Sequence, residues 1–345
     1  MKIVIDRQSA GGKKTGYGFY LTNLLAELEK IKGDNEFIYI DKIQQNLNTP
    51  KRIWWDQLGL AREAKKRKAD LLFVPSFSCP IFYQGKKVVT AHDLIGKLFP
   101  ENFSWSAKIY WDKILPYSFT RADHVIVPSE NTKKDLMKLL NIPEENISVI
   151  YEGAGPHFHK TDKQEAIEKI KNKFNINNKF ILAVSTIEPR KNYKRLVEAF
   201  KKIDTDADLV IVGKKAWGEE LEFGEKIKHI DYVETEDLVS LYNACDLFTM
   251  VSLYEGFGLP ALEAMTCGAP VLVSNTSSLP EVVDRAGELT DPKSVNEISA
   301  KMKMILEDEN LRKEMSEKSL EQAKKFSWAK AAQETLKVFE DVGKN

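Results

Sequence analysis

Short runs of apolar residues, many of them β-branched, alternate along the chain with longer amphipathic segments, a pattern typical of βαβ units on a parallel sheet. Six runs in the first half are predicted to be strands: Ile3–Ile5, Phe37–Ile40, Leu71–Val74, Lys87–Thr90, His124–Val127 and Ile147–Ile150. Six more repeat the pattern in the second half: Phe180–Val184, Ala207–Val212, Ile227–Tyr232, Leu247–Met250, Val271–Ser274 and Gly287–Leu289. The pattern predicts an α/β protein with two Rossmann-like, doubly wound domains.

A segment rich in turn-forming residues separates the two sets of strands. It runs from Tyr151 to His159 and is followed by a charged helical stretch near 162–173. We therefore expect one domain over 1–160 and a second over 161–325, with a capped amphipathic helix within 326–345. Doubly wound sheets bind ligands at the carboxyl ends of their strands, so two facing domains would gather loops from both sheets at a cleft.

Composition narrows the classes of function. The 345 residues include 51 Lys and Arg against 51 Asp and Glu, so no overall field favours nucleic acid. The opening Met1–Asp6 predicts a strand instead of a signal peptide, and no apolar run is long enough to span a membrane. The cysteines Cys79, Cys245 and Cys267 lack metal-ligand spacing. We expect a cytoplasmic protein and leave contact with the inner membrane face open.

The most informative stretch is Ser252–Pro270, which lies between two predicted strands. Pro260 suits the first turn of a helix, so the preceding loop leads into a helix N-terminus, where backbone N–H groups attract anions and hydroxyl oxygens. Glu255 precedes this loop and Glu263 lies about one turn into the helix, so each carboxylate can hold one end of an extended ligand. A solvated turn residue and a first-turn carboxylate are the alternatives for the two acids taken singly. The loop residues are Gly256, Phe257, Gly258 and Leu259.

A basic turn, Glu188–Asn192, follows the predicted strand Phe180–Val184. Arg190 can clamp phosphate oxygens with its planar fork, and Lys191 supplies a compact charge. Alone, the motif also fits a basic surface turn. Together with a nearby helix N-terminus, it predicts a diphosphate pocket.

A glycine-rich segment, Gly11–Tyr20, lies between the first strand and a helix predicted from about Phe19 to Ile31. It matches neither a Walker loop nor a dinucleotide-binding fingerprint. A flexible backbone there can cover phosphates or admit an acceptor. The candidate residues are Gly16, Tyr17 and Gly18.

Three further stretches bear on substrate contacts. His92 follows the predicted strand Lys87–Thr90 and can hydrogen-bond a sugar hydroxyl. Trp54–Gln57 fits either an acceptor site or buried core aromatics. The basic run Ala61–Ala69 is typical of a solvated helix face, with contact to anionic lipid headgroups as the alternative.

Together these motifs resemble glycosyltransferase family 4 over essentially the whole chain. The resemblance rests on Ser252–Pro270, the turn Glu188–Asn192, the stretch Ala91–Leu94 and the glycine-rich segment. It implies the GT-B fold, with an acceptor domain first, a donor domain second and a last helix that returns to the first domain. It also implies a retaining hexosyltransferase that uses a nucleotide-sugar donor.

The resemblance implies roles for the residues of the second domain. Glu263 would bind the ribose hydroxyls, while Arg190 and Lys191 would neutralise the diphosphate. Glu255 and the backbone of Gly256–Leu259 would meet the donor sugar and the distal phosphate. Arg190, Lys191 and Glu255, with His92 of the first domain, make up the expected catalytic set.

Further roles are implied elsewhere. His92 would contact the transferred sugar near its reacting carbon, and the backbone at Tyr232 and Val233 would receive the base. Gly16–Gly18 would close over the phosphates. Many family members carry Gly-Arg where this chain has Ser185-Thr186, so the positive charge must come mainly from Arg190.

We expect no metal and no other cofactor. Asp204-Thr-Asp206 matches the spacing with which metal-dependent transferases hold a divalent ion, but it precedes a strand, away from the expected cleft. We interpret it as a polar turn. Fixed cations and a helix dipole would stabilise the departing diphosphate instead, with front-side attack and the leaving phosphate taking the acceptor proton.

The stretches Arg52–Gln57 and Thr90–Leu94 look most like mannosyltransferases of surface-polysaccharide assembly. This likeness implies GDP-mannose as donor, with a UDP-sugar as the alternative, and a saccharide or lipid-linked acceptor. We expect a monomer or a homodimer. A sugar-nucleotide epimerase and a non-catalytic nucleotide-sugar-binding protein fit the same scaffold.

Overall fold

The structure is a computed structural model that describes residues 1–10, 16–41, 49–103, 105–216, 221 and 223–344. The chain forms two compact units. Unit 1 comprises Met1–Glu152 together with Ser327–Asn345, and unit 2 comprises Gly153–Phe326. The predicted boundary at 160/161 lies eight residues beyond that of the units, which falls inside the turn-rich segment Tyr151–His159.

Unit 1 is built on a parallel sheet of six strands in the order β2-β1-β3-β4-β5-β6. The strands are β1 Lys2–Asp6, β2 Glu36–Ile40, β3 Leu71–Val74, β4 Lys86–Thr90, β5 His124–Val127 and β6 Ile147–Val149. Its helices up to β6 are α1 Gly16–Ile31, α2 Thr49–Trp54, α3 Leu60–Lys66, α4 Ile95–Leu98, α5 Trp105–Lys108, α6 Leu115–Phe119 and α7 Glu130–Leu140. Short 3-10 turns lie at Gln8–Ala10, Pro100–Asn102 and Glu144–Asn146, and π-helical turns at Trp55–Gly59 and Ile109–Ile114.

Unit 2 has a second parallel sheet of six strands, in the order β12-β11-β10-β7-β8-β9. Its strands are β7 Phe180–Val184, β8 Asp208–Val212, β9 Ile227–Ile230, β10 Leu247–Met250, β11 Val271–Ser274 and β12 Glu288–Thr290. Its helices are α8 Lys163–Phe174, α9 Tyr193–Lys201, α10 Thr235–Ala244, α11 Leu259–Thr266, α12 Leu279–Val283, α13 Val295–Glu307 and α14 Glu309–Ala323. All twelve predicted strands are confirmed, because an apolar run between amphipathic segments is a strong signal of a buried parallel strand.

The last helix, α15 (Trp328–Lys344), belongs to unit 1 and packs against α1. Its buried face, which includes Trp328, Ala332 and Phe339, joins a cluster with apolar residues of α1 and the sheet. The Phe339 ring lies 4.9 Å from that of Phe73, between centroids. One side of the first sheet is thus covered by the end of the chain.

Two sequence predictions need correction. Helix α1 begins at Gly16, so Gly16–Gly18 form its first turn instead of a loop that precedes it. The glycine composition suggested a loop, but glycine is tolerated in a first helical turn. Strand β9 ends at Ile230 because its parallel partner β8 ends at Val212, which leaves Tyr232 in the following turn.

Each sheet has one position where the chain changes direction, a switch point. In unit 1 the chain passes from β1 to β2 on one side and then to β3 on the other. In unit 2 the equivalent position lies between β7 and β10. Ligands of doubly wound sheets bind in the crevice outside the carboxyl ends of the strands at such points. Asp204–Asp206 lies before β8, at the opposite end of the second sheet, as predicted.

Candidate functional site

The basic turn lies at the switch point of unit 2. Pro189–Lys191 forms a 3-10 turn after β7, and Asn192 ends it with a left-handed backbone at φ +63°. The Asn192 amide donates to the Val251 carbonyl at 2.8 Å, just beyond β10, and to the Pro292 carbonyl at 2.7 Å. Sequence analysis missed this anchor, although an asparagine at the end of a turn is a recognised signal for a left-handed residue.

Glu255 receives both cations of that turn. Lys191 Nζ lies 2.7 Å and 2.9 Å from the two Glu255 carboxylate oxygens, and Arg190 Nη1 lies 3.0 Å from Oε2. Arg190 also donates to the Tyr254 carbonyl at 2.7 Å and to Glu188 at 2.6 Å. We call Glu188, Arg190, Lys191 and Glu255 the charged cluster. Its two acids and two cations balance in formal charge.

Burial and charge oppose each other in the charged cluster. Burial alone would raise the pKa of Glu255, but Lys191 and Arg190 outweigh it and hold that pKa at about 2. Burial lowers the pKa of Lys191 against the attraction of Glu255. The side chains of Arg190, Lys191 and Glu255 are 12%, 11% and 9% exposed, so water screens these interactions little. The cluster is a preorganised set of charges.

The loop after Glu255 is fixed by two serines. Ser277 Oγ accepts from the Glu255 backbone N–H at 3.0 Å, and Ser278 Oγ donates to the carbonyls of Glu255 and Phe257 at 2.9 Å and 2.7 Å. Gly258 precedes α11 with φ +110°, and a Cβ on it would lie 2.7 Å from Leu279 Cδ2. The positive φ favours glycine at 258, and a larger residue would also displace the end of the Leu279 side chain. Neither serine was singled out from the sequence.

Glu263 lies one turn into α11, as predicted, and is half-buried. The hydroxyl of Tyr242, on α10, donates to Glu263 Oε2 at 3.0 Å. Burial raises the pKa of Tyr242 well above its usual value, and the negative charge of Glu263 raises it further. The hydroxyl therefore stays a donor. The carboxylate is thus oriented by a residue that sequence analysis did not single out.

Tyr232 and Val233 lie in the turn between β9 and α10, and 60% of Tyr232 is exposed. This turn follows the carboxyl end of β9, the outermost strand on its side of the second sheet. Their contact with a base stays a prediction.

His92 of unit 1 is enclosed by protein groups. Its Nε2 lies 2.8 Å from the Pro75 carbonyl, and because a carbonyl only accepts, Nε2 carries the hydrogen. Its Nδ1 lies 3.4 Å from a carboxylate oxygen of Glu152, whose side chain is 4% exposed. Both ring nitrogens therefore face protein acceptors. Contact between His92 and a sugar stays a prediction, and Glu152 is a neighbour that the sequence motifs did not indicate.

Two tyrosines of α1 flank His92. The Tyr17 ring lies 4.7 Å from the imidazole, tilted by 35°, and the Tyr20 ring meets it edge-on at 4.5 Å. Gly18 is buried, and its carbonyl accepts from Thr22 at 2.7 Å. The structure thus brings the first turn of α1 to His92. Gly11–Thr15, the first half of the glycine-rich segment, lies outside the described residues.

Part of Trp54–Gln57 belongs to the core, and its contact with an acceptor stays a prediction. Trp54 is 59% exposed, while Trp55 and Asp56 are buried. Gln57 donates to the Cys79 carbonyl at 3.1 Å and accepts from the Ile81 N–H at 2.9 Å, which anchors the loop after β3.

Comparison with solved structures defines the class of fold. HepE from Anabaena, solved with UDP and glucose, aligns with a TM-score of 0.73 at 20% identity, over 99% of this chain and 100% of that one. WaaG, a glycosyltransferase involved in lipopolysaccharide biosynthesis, aligns with a TM-score of 0.74 at 14% identity, over 98% and 99%. Two parallel six-stranded sheets with these neighbours make the chain a GT-B protein.

Sequence comparison identifies the family. Residues 164–322 match the model for glycosyl transferases group 1, and residues 32–156 match that for glycosyltransferase family 4. O-antigen chain mannosyltransferase B of Escherichia coli is 31% identical over 277 residues, 77% of this chain and 72% of that protein. The chain belongs to the group 1 glycosyltransferases of family 4.

A second relative is much longer. The serotype-specific mannosyltransferase WbdA of Escherichia coli is 32% identical over 272 residues, 74% of this chain and 33% of WbdA. The match thus spans a third of that protein's length.

Proposed function

We propose that the chain transfers a hexose, first of all mannose, from a nucleotide-diphosphate sugar to a saccharide or lipid-linked acceptor, with retention and without a metal ion. The observation that carries the proposal is the charged cluster at the switch point of unit 2, in which Arg190 and Lys191 pair with Glu255. It lies beside the loop that leads into α11, where backbone N–H groups favour anions.

The cluster suits a diphosphate. Glu255 acts as an internal counter-ion that keeps Arg190 and Lys191 in place before the donor arrives. A diphosphate carries more negative charge than one carboxylate. It can therefore bind the same two cations and the N-terminus of α11 together. As the bond to the sugar breaks, charge grows on the leaving phosphate, and preorganised cations stabilise it. This arrangement supplies what a divalent ion supplies in other transferases.

The remaining donor contacts follow from position. Glu263, oriented by Tyr242, accepts from the vicinal hydroxyls of the ribose. The backbone at Tyr232 and Val233 receives the base, and Gly256–Leu259 meets the donor sugar. Gly16–Gly18 of unit 1 cover the phosphates. We assign His92 to the transferred sugar.

Retention follows a front-side path. The bond from the anomeric carbon to the phosphate oxygen breaks as the acceptor oxygen bonds to the same face. The acceptor proton passes to the leaving phosphate oxygen. Glu255 is not the nucleophile, because a carboxylate held by two cations and with a pKa near 2 is a weak one.

Mannose is proposed because two relatives are named as mannosyltransferases. GDP-mannose is therefore the first donor to test and a UDP-sugar the second, since HepE was solved with UDP-glucose.

A thermal-shift panel of GDP-, UDP- and ADP-sugars, with and without EDTA, tests the donor. We expect stabilisation by one donor class that chelation does not reduce. Replacing Arg190 and Lys191 together by Gln should weaken donor binding by about a hundredfold or more, since two charge-assisted contacts are lost. The matched control replaces Lys201 and Lys202, two exposed cations at the end of α9, by Gln. Equal donor affinity in both double variants would falsify the proposed pocket.

We also propose that unit 1 touches a lipid surface. Trp54, Leu58 and Phe82 are 59%, 59% and 85% exposed, and the bond between Ile81 N–H and Gln57 brings the Phe82 segment beside the helix. The basic residues of α3 follow directly, a combination suited to anionic membranes. Within the described ranges, no helix is long and apolar enough to cross a bilayer. Leu58→Asp should abolish sedimentation with phosphatidylglycerol vesicles, while Leu58→Gln should only reduce it.

A further inference from the structure

The chain returns from unit 2 to unit 1 through Phe326-Ser327-Trp328, three residues that the proposed donor contacts do not use. Unit 2 ends at Phe326, and unit 1 resumes at Ser327. The side chains of Phe326 and Trp328 are both buried. We call these three residues the return segment. Each of its two aromatic rings contacts the candidate site of its own unit.

In unit 2, Phe326 packs against the loop Gly256–Leu259, here called the donor loop. The Phe326 ring meets the buried ring of Phe257 edge-on, with centroids 5.9 Å apart and an interplanar angle of 71°. The Phe257 carbonyl accepts from Ser278 Oγ at 2.7 Å. The donor loop is thus held by Ser278 at its backbone and by Phe326 at the Phe257 side chain.

In unit 1, Trp328 packs beside the ring that flanks His92. The centroids of the Trp328 and Tyr20 rings are 5.7 Å apart, and the Tyr20 ring meets the His92 imidazole edge-on at 4.5 Å. The Tyr20 hydroxyl lies 3.1 Å from Thr90 Oγ1, at the end of β4. Tyr20 is therefore fixed at its hydroxyl by Thr90 and at its ring by Trp328, and it limits how the His92 ring can move.

Ser327 joins the two contacts through a helix cap. Its Oγ accepts from the Lys330 N–H at 3.2 Å, so Ser327 caps α15, and Trp328 is the first residue of that helix. On the other side, the Phe326 N–H donates to the Ala323 carbonyl at the end of α14, at 3.1 Å. The return segment is short and tied to helix ends on both sides. A shift of Phe326 is therefore passed on to Trp328, because no flexible linker lies between them to absorb it.

We propose that the return segment couples the donor loop of unit 2 to His92 of unit 1, with Phe326 and Trp328 as positioning residues. Phe326 holds the loop that meets the donor, and Trp328 holds the Tyr20 ring beside His92. Donor binding that moves the loop is transmitted along the segment to His92. The inference rests on the proposed transferase function for its reaction, whereas the two contacts can be tested without a donor.

Two variants of the full chain test the contacts before any donor is added. Phe326→Leu removes the ring contact with Phe257, so amide hydrogen exchange in the donor loop should become about threefold to tenfold faster. Trp328→Phe shortens the ring that supports Tyr20, so the imidazole ¹⁵N and ¹H shifts of His92 should move.

The matched controls make the same chemical changes elsewhere. Phe200→Leu alters a buried ring in the core of unit 2, and Trp111→Phe alters a half-buried ring of unit 1 that stacks on Phe103. Neither control should change exchange in the donor loop or the His92 shifts. If Phe326→Leu does not fold, Phe257→Leu removes the same ring pair from its other member.

Fluorine NMR of the full chain labelled with 5-fluorotryptophan measures the coupling. The Trp328 resonance is the one that Trp328→Phe lacks, and we expect it to shift when GDP-mannose saturates the wild type. At saturating donor, the shift should be lost in Phe326→Leu and kept in Phe200→Leu.

Steady-state kinetics separate the two positioning roles. Phe326→Leu should mainly raise the KM for the donor, by about threefold to tenfold, since the donor loop is loosened. Trp328→Phe should lower kcat by a similar factor and leave that KM nearly unchanged, since His92 is assigned to the transferred sugar.

Two outcomes would overturn the inference. One is exchange in the donor loop, or His92 shifts, that are the same in Phe326→Leu and Trp328→Phe as in their controls. The other is a Trp328 resonance that responds to the donor equally in Phe326→Leu and Phe200→Leu. Failure of the proposed function is distinguishable, because wild-type protein would then bind no nucleotide sugar, and the measurements without a donor would decide the two contacts.

Discussion

The switch points of the two sheets carry different sets of charges: two acids with two cations in unit 2, and two acids with one cation in unit 1. In unit 2, Arg190 and Lys191 converge on Glu255, whereas in unit 1 Asp6 and Asp56 share Arg52. The acids respond in opposite directions: the pKa of Glu255 falls to about 2, while burial raises that of Asp6 to about 6 and that of Asp56 to about 7 despite Arg52. Two cations outweigh the burial of Glu255, whereas one guanidinium does not offset the burial of Asp6 and Asp56.

Removing the acid of unit 2 should have the largest effect on stability. Glu255→Gln leaves the buried Lys191 without its carboxylate partner, while Arg190 keeps Glu188, and breaking a buried pair in this way costs about 3–5 kcal/mol. We expect a markedly lower melting temperature by scanning calorimetry. Added GDP should restore much of it, because the diphosphate replaces the lost charge.

Glu198→Gln, on the exposed face of α9, makes the same chemical change outside the charged cluster and should behave like wild type. If the two variants melt alike, Glu255 is not the counter-ion of Arg190 and Lys191, and the contrast between the units loses its basis.

The pH dependence of stability should differ between the units. The pKa of Asp6 is raised in the folded state. Its contribution to the free energy of unfolding is therefore fully present below pH 3.8, the unfolded pKa, and is lost as pH rises through about 6. The loss is on the order of 3 kcal/mol for a shift of about two units. Glu255 has the opposite pH dependence, because its pKa is lowered in the folded state. Its contribution to the free energy of unfolding is present above pH 4.5 and is lost as pH falls towards 2.

Hydrogen exchange measures how the stability of each unit depends on pH. Protection is followed in β1 and in β7 from pH 4 to 8 and corrected for intrinsic exchange rates. Protection in β1 should fall with rising pH in the wild type and vary less in Asp6→Asn, while β7 should show no slope from Glu255. An unchanged slope in Asp6→Asn would remove Asp6 as its cause.

The loop before α11, at the switch point of unit 2, should tolerate substitution of its glycine less well than a surface loop does. Gly258→Ala places a Cβ 2.7 Å from Leu279 at φ +110°, which costs about 1–3 kcal/mol. We expect lower stability and weaker donor binding, because the loop before α11 shifts. Gly224→Ala is the control, since a Cβ there meets nothing within 4 Å. A neutral Gly258→Ala would show that this loop is not held by Leu279.

The sequence was sufficient for the sheets but only partly for the site. Apolar runs predicted every strand, and strand ends placed Glu188–Asn192 and Glu255 at one edge, because these features depend on local pattern and on topology. The pairing of Glu255 with Arg190 and Lys191 was not predicted, since it depends on how Asn192 and Ser278 fix two separate loops.

Long-range neighbours were the least accessible to sequence reasoning. Glu152 lies close to His92 although 60 residues separate them, in a segment that was predicted only as the turn-rich junction between domains. Gly16 and Gly18 were assigned to a loop because glycine is a weak helix former, whereas α1 includes both.

The smallest expected effect concerns Glu152, an acid that lies beside the imidazole of His92. Nε2 of His92 donates to the Pro75 carbonyl, and the buried Glu152 carboxylate lies 3.4 Å from Nδ1, so Glu152 limits how the ring can turn. Glu152→Gln should lower kcat about tenfold through lost orientation, as for second neighbours of other functional histidines, and leave donor affinity nearly unchanged. The imidazole ¹⁵N and ¹H shifts of His92 should move in the variant. Glu144→Gln, whose acid is 67% exposed and paired with Lys133, should leave both readings unchanged. If Glu152→Gln shifts neither kcat nor the His92 resonances, the carboxylate only fills space and does not orient His92.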